Sequence, residues 1–161
     1  KFEDTEETVF PGDTFVVKAE YARITDEEGN VVHRVNYQHD LIGRKDGQIK
    51  FIGSVKTSSK DRLDKIFVDK LLYSRFTGTS TPYIAVFLND VQRAKSKTFG
   101  KQKINSTFLS GHFKAYTLKL TPMEGVFYCD LRPNMKSDPF LCERIHWIDQ
   151  LFYDEVRKFG V

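Results

Sequence analysis

Two side chains of opposite charge stand on strand-like runs that a tight turn brings together: Asp40 in "QHDLIG" and Lys56 in "GSVKTSSKDR". The runs "VVHRVNYQHDLIG" and "QIKFIGSVKTS" are joined by "RKDG", residues 44–47, whose Asp-Gly step favours a tight hairpin turn and accounts for Asp46 as a turn residue. A carboxylate and an ammonium at one end of a hairpin suit phosphodiester hydrolysis. The first is a hard oxygen ligand for a divalent cation, and the second orients or activates the attacking water. Surface hairpins carry charges by default, so the pair gains weight only from the residues around it. His33 and His39 are candidate general bases. No Ser-His-Asp elbow, Gly-rich phosphate loop or zinc-ligand spacing competes for a catalytic role.

The elements that must position this pair follow from periodicity. Residues 1–8 are acidic and expected to fray, whereas residues 15–25, "FVVKAEYARIT", have the β-branched and aromatic character of a strand, ended by the turn "DEEGN". From residue 60 the period changes: Leu63, Ile66, Phe67, Lys70, Leu71 and Leu72 recur at three and four residues, so residues 60–76 read as an amphipathic helix ended by Gly78 and Pro82. The continuous apolar run "PYIAVFLND" reads as a strand buried on both faces, and helix followed by buried strand implies a parallel crossover. Residues 93–111 follow as a basic segment. Then "HFKAYTLKL" and "GVFYCDL" read as strands, "RPNMKSDP" as a loop, and residues 140–159 as one amphipathic helix carrying His146 and Trp147. This order describes a mixed α/β (α+β) domain with the hairpin packed centrally.

The run "HDLIGRKDGQIKFIGSVKTSSKDR" resembles the core of the PD-(D/E)XK nuclease superfamily, in which an Asp begins one strand and an acid-any-Lys triplet lies on the next. Residues 35–90 carry the resemblance. Asp40 matches the first Asp and Lys56 the Lys, His39 stands where Pro is common, and Ser54 occupies the place usually held by Asp or Glu. The chain is similar to the branch of type II restriction endonucleases with a Ser-any-Lys triplet, whose missing acid comes from the following helix. "SVKTSSKDRLDKIFVDK" matches that branch at Thr57, Ser58, Lys60, Asp61 and Arg62, with Asp69 at the place of the displaced acid. The resemblance implies a restriction-endonuclease-like fold, a central mixed sheet flanked by the helix after Lys56 and by the C-terminal helix. It also implies magnesium-dependent cleavage of duplex DNA to a 5′-phosphate and a 3′-hydroxyl. Asp40 and Asp69 would hold Mg2+, Lys56 would orient the water, and Ser54 would support them. Asp61 and Asp64 are alternative second acids, equally explained as carboxylates at a helix N-terminus. Glu20 is a candidate auxiliary ligand, and Arg62 a candidate phosphate brace.

Residues 91–123 contain no Asp or Glu, yet hold Arg93, Lys95, Lys97, Lys101, Lys103, Lys114 and Lys119. Phosphate neutralisation is the simplest use for so long a stretch of one sign. Asn105, Ser106, Thr107 and His112, with Gln102 and Ser110, bring donors and acceptors suited to base edges.

The chain has 161 residues, 40% hydrophobic and 14% aromatic, which suffices for the core of one domain spanning residues 1–161. The net charge of +3 does not by itself announce a polyanionic partner. Cys129 and Cys142, without metal-ligand spacing, read as buried free thiols of a reducing compartment. No 18-residue apolar run and no signal peptide are present, so an intracellular, cytoplasmic setting is expected, and the resemblance to restriction endonucleases implies a prokaryotic one. Lys1 in place of Met suggests a processed chain or a fragment lacking an N-terminal domain, and the apolar C-terminal helix with Trp147 suggests a homodimer surface. The rival readings are a DNA-binding module of the same fold that lost cleavage, motivated by Ser54, a nuclease for repair or modified DNA, and a structural domain without a nucleic-acid partner.

Overall fold

A computed structural model describes residues 2–9, 16–60, 62–95 and 102–159. The acidic opening is not frayed. It forms strand β1 (Phe2–Val9), antiparallel to β2 (Val16–Thr25), because pairing satisfies its backbone and sets Glu7 opposite Lys18. Strand β3 (Val31–His39) completes a three-stranded antiparallel sheet. The turn between β2 and β3 is built on the Asp26 carboxylate, which accepts from the backbone N–H groups of Glu28 (3.1 Å) and Asn30 (2.8 Å).

The run containing Asp40, read as one strand, is two: it breaks at Asp40 and continues as β4 (Leu41–Lys45) in a different sheet. Strand β4 turns at Asp46-Gly47, both at positive φ (52° and 73°), into the antiparallel β5 (Gln48–Ser58), as the Asp-Gly step predicts. Helix α1 (Leu63–Thr77) follows and ends at Gly78, whose left-handed backbone lets its N–H bond the Ser74 carbonyl (3.0 Å). Its buried stripe is Leu63, Ile66, Phe67, Lys70 and Tyr73, whereas Leu72 faces out. Strand β6 (Tyr83–Asn89), buried through Phe87, lies parallel to β5 as expected of a crossover.

The basic segment holds a two-stranded ribbon, β7 (Val91–Lys95) with β8 (Gln102–Ser106). "HFKAYTLKL" is no strand but helix α2 (Ser110–Lys119). Phe113, Ala115 and Thr117 alternate like a strand, but Phe113, Tyr116 and Thr117 also lie on one helical face, and packing against α1 selects the helix. After β9 (Gly125–Tyr128), the expected loop contains α3 (Pro133–Ser137). The expected long C-terminal helix is broken. Asp138 caps a single turn, α4 (Pro139–Cys142), accepting from the N–H groups of Phe140 (3.0 Å) and Leu141 (3.3 Å). His146 and Trp147 then lie on strand β10 (Ile145–Trp147), because buried Ile145 adds an edge to β9. Helical structure resumes at α5 (Ile148–Gln150) and runs through a π-helical turn (Leu151–Glu155) into α6 (Val156–Lys158).

The central sheet has the order β10-β9-β6-β5-β4, parallel except for the β4–β5 hairpin. One face packs Ile42, Ile52, Tyr83 and Phe87 against α1 and α2. The other packs Phe51, Ile84, Val86 and Phe127 against Leu151, Ile148 and Phe159 of the C-terminal segment. The expected mixed α+β architecture, a central mixed sheet flanked by the helix after Lys56 and by C-terminal helical structure, is the observed one. Cys129 and Cys142 are free as expected but exposed rather than buried, Cys129 falling just past β9 and Cys142 closing the single turn α4. Among the described residues no helix is long and apolar enough to cross a membrane.

Candidate active site

Asp40 owes its position to the break between two sheets. Its N–H bonds the Gly53 carbonyl (3.1 Å), and its carboxylate accepts from the Val55 N–H (2.8 Å) and from the Lys56 ammonium, with which it forms an ion pair. The pair is open to solvent, with side-chain exposures of 36% for Asp40 and 22% for Lys56. Lys56 lies near the C-terminal end of β5, opposite Phe87 of β6 and beyond the stretch of β5 that pairs with β4, and its ammonium reaches the Asp40 carboxylate at the surface.

Two residues before Lys56 and on the same face of β5, Ser54 is buried, and its hydroxyl shares a 2.8 Å hydrogen bond with the Tyr83 hydroxyl. This burial gives the serine a physical reason: an ionised acid placed there would lie against the core rather than in water.

Asp69 lies on α1 beside its buried stripe. Its side chain is only 15% exposed and accepts a 3.0 Å hydrogen bond from Lys65 one turn earlier. Its charge bears on two buried rings. Burial of His39 holds its imidazole well below the ordinary value of 6.5, at about 4, while Asp69 and then Asp40 oppose that shift. Burial pushes the Tyr83 phenol up; its bond to Ser54 opposes this, and Asp69 and Asp40 add to it. Both carboxylates therefore act on the same two side chains. His39 packs edge-on to Tyr73 of α1 (5.0 Å between centroids) and to Tyr83 of β6 (6.4 Å), joining the strand break to the helix. Ser54 thus contacts Tyr83 directly, Lys56 is tied to Asp40, and the charges of Asp40 and Asp69 both bear on His39 and Tyr83.

The remaining candidates are dispersed. Arg62 is exposed immediately before α1 and Asp64 is exposed in its first turn; Asp61 lies outside the described residues. Glu20 lies on β2 opposite Tyr37. A cleft of about 420 Å³ opens just beyond the end of β5, lined by Ser59, Lys60, Asp64, Thr107, His112 and Tyr116 among others. Arg93, Lys95 and Lys103 lie on the β7–β8 ribbon, Asn105 and Ser106 at its end; Lys97 and Lys101 fall outside the described residues. Three candidates for DNA binding are engaged within the fold: Ser106 donates to buried Asp90 (2.5 Å), Thr107 to the Asp90 carbonyl (2.7 Å), and Lys114 pairs with Asp138 (2.5 Å). Trp147, at the end of β10, lies under the Lys136 ammonium (4.6 Å).

Among the described residues no group of three or more His, Cys, Asp or Glu side chains is arranged to hold a metal ion. Two carboxylates are nonetheless compatible with magnesium, which binds nucleic-acid-processing sites through one or two protein carboxylates together with substrate phosphates and water. Tyr83 joins the candidate site without having stood out in the sequence. Tyr83 sits at the start of an apolar run, where its hydroxyl must find a partner, but nothing in the sequence says that the partner is Ser54.

No protein-family model matches the chain, and no curated protein matches it in sequence. Among solved structures, the chain is similar to the type IIP restriction endonuclease Kpn2I, with a TM-score of 0.58 and 14% identity, over 90% of this chain and 41% of that one. It therefore spans less than half the length of that enzyme. At this identity the likeness carries the fold alone, and the fold is restriction-endonuclease-like, a central mixed sheet flanked by helices.

Proposed function

We propose that this chain is the catalytic domain of a magnesium-dependent endonuclease acting on duplex DNA, a type II restriction-like enzyme that cuts at specific sequences in the cytoplasm. The observation that carries this reading is the Asp40–Lys56 ion pair at a strand break in a restriction-endonuclease-like fold, with Asp69 on the following helix, whose charge, like that of Asp40, bears on buried His39 and Tyr83. Asp40 and Asp69 would hold Mg2+. When bound, the ion supplies charge neutralisation and polarisation at the phosphoryl group. Lys56, positioned by Asp40, orients the attacking water. Ser54 carries no ligand role and braces Tyr83 behind the site. Arg62 and the basic stretch Arg93, Lys95, Lys97, Lys101 and Lys103 hold phosphates, with Asn105 and His112 toward the bases. Cutting both strands would call for a homodimer. A further, N-terminal domain would bring the protein nearer the length of the similar enzyme.

A catalytically silent DNA-binding module is the second reading, favoured by two observations: Ser54 in place of an acid, and the Asp40 carboxylate already paired with Lys56. Incubation of long mixed-sequence duplex DNA with the chain and Mg2+ separates the two. Discrete fragments that vanish in Lys56→Ala and in Asp69→Asn are expected. Tight binding without cutting would establish the silent module, and cutting that survives Lys56→Ala would remove Lys56 from the mechanism.

A further inference from the structure

Lys70 lies on the buried stripe of α1 and is 5% exposed, yet it is charged. Its ammonium meets both Glu124 carboxylate oxygens (2.6 and 2.8 Å) and the Pro122 carbonyl. The same Glu124 carboxylate accepts the backbone N–H of Tyr83 (2.6 Å), and the Glu124 N–H donates to the Tyr83 carbonyl (3.2 Å). One carboxylate therefore ties the middle of α1 to the first residue of β6. On either side of that tie stand members of the candidate site: Asp69 is the residue before Lys70, and Tyr83 bonds Ser54 through its hydroxyl. Apolar packing between helix and sheet tolerates small rotations about the helix axis, whereas a multidentate ion pair fixes one angle.

We propose that the Lys70–Glu124 pair is a positioning device: it sets the rotation of α1, and hence the place of Asp69, relative to Tyr83 and the β5 residues Ser54 and Lys56. This rests on the proposed nuclease site and extends it. Lys70 and Glu124 are positioning residues, separated from the reacting atoms by Asp69 and Tyr83. Misplacement by about 1 Å can cost on the order of 100-fold in rate.

The test is a double-mutant cycle on the whole chain, combining Lys70→Met with Asp69→Asn, with single-turnover cleavage and calorimetric Mg2+ titration of the DNA-free chain as readouts. In the otherwise wild-type background, Lys70→Met is expected to lower the cleavage rate by on the order of 100-fold and to weaken Mg2+ binding, with DNA affinity in the absence of Mg2+ unchanged. In the Asp69→Asn background, where cleavage is already lost and Mg2+ affinity is the readout, the same change is expected to weaken Mg2+ binding no further, and Lys70→Arg, which keeps the charge, is expected to retain most activity in the otherwise wild-type chain. If Lys70→Met does not fold, Glu124→Gln asks the same question, since it keeps an acceptor for the Tyr83 N–H while weakening the tie to Lys70. Equal losses of Mg2+ affinity from Lys70→Met in both backgrounds, or no loss of affinity or cleavage rate in the otherwise wild-type chain, would overturn the positioning role while leaving the nuclease reading intact. An Asp69→Asn chain that cuts and binds Mg2+ like the wild type would remove Asp69 from the site and the positioning role with it, whereas a wild-type chain that binds duplex DNA without cutting it would overturn the nuclease reading itself.

Discussion

His39 is buried between Tyr73 and Tyr83 with the carboxylates of Asp69 and Asp40 nearby, and burial outweighs their attraction for its proton. Its folded value, about 4, lies below the ordinary 6.5. As pH falls the unfolded chain thus takes up this proton first, so the contribution of neutral His39 is complete above about 6.5 and is lost as pH falls to about 4. At roughly 1.4 kcal/mol per pH unit, the loss across that window is on the order of 3 kcal/mol. Urea unfolding between pH 7 and 4 should show this loss in the wild type and a flatter profile in His39→Phe; parallel profiles would assign the acid sensitivity to other groups. At this scale the sequence was informative about identities and poor about environments. Asp40 and Lys56 were legible as an acid and a cation on a hairpin, and Lys70 as a charge on an apolar helical stripe. That Lys70 needs a buried partner follows from the cost of an unpaired charge. That the partner is Glu124, 54 residues away, does not.

At the level of elements, β5 is where the site is assembled, because it pairs with β4 on one side and β6 on the other. Gly53 allows the close approach to β6: a Cβ there would stand 2.7 Å from the Ile84 side chain and 2.9 Å from its carbonyl oxygen. Gly53 also accepts the N–H of Asp40, so spreading β5 from β6 would disturb the acid as well as the sheet. Gly53→Ala should destabilise the domain by about 1–3 kcal/mol, the usual cost of overpacking. Thermal unfolding measures this, and an unchanged midpoint would mean that the two strands adjust freely. The hairpin, α1 and β6 were legible because turn chemistry and periodicity agree there. "HFKAYTLKL" and residues 140–159 were misread for opposite reasons. The first satisfies both periods at once, and the second carries a helical pattern across the end of the α4 turn at Cys142 and the strand-forming residues 145–147.

For the molecule as a whole, the acid-free stretch 91–123 makes an electrostatic prediction that depends on no single side chain. Binding to duplex DNA should weaken steeply with salt, and replacing Lys97, Lys101 and Lys103 together with Gln should flatten the log–log slope by about 0.9 for each phosphate that is no longer neutralised. Fluorescence anisotropy without Mg2+ gives both slopes, and equal slopes would place the DNA elsewhere. Lys114 is expected to contribute little, being paired with Asp138.

By itself the sequence determined which chemical groups are present and which short segments must be hairpin, helix or buried strand, because turn residues and side-chain periodicity act over a few residues. It also carried, through resemblance, the expectation of the fold that the architecture bears out. Only the tertiary structure decided that the chain changes sheets at Asp40, that Ser54 is buried against Tyr83 rather than facing the surface, and that Asp69 and Asp40 act on the same two rings. Each of these depends on which distant segments share a dry interface, and desolvation there reverses what a side chain would do in water.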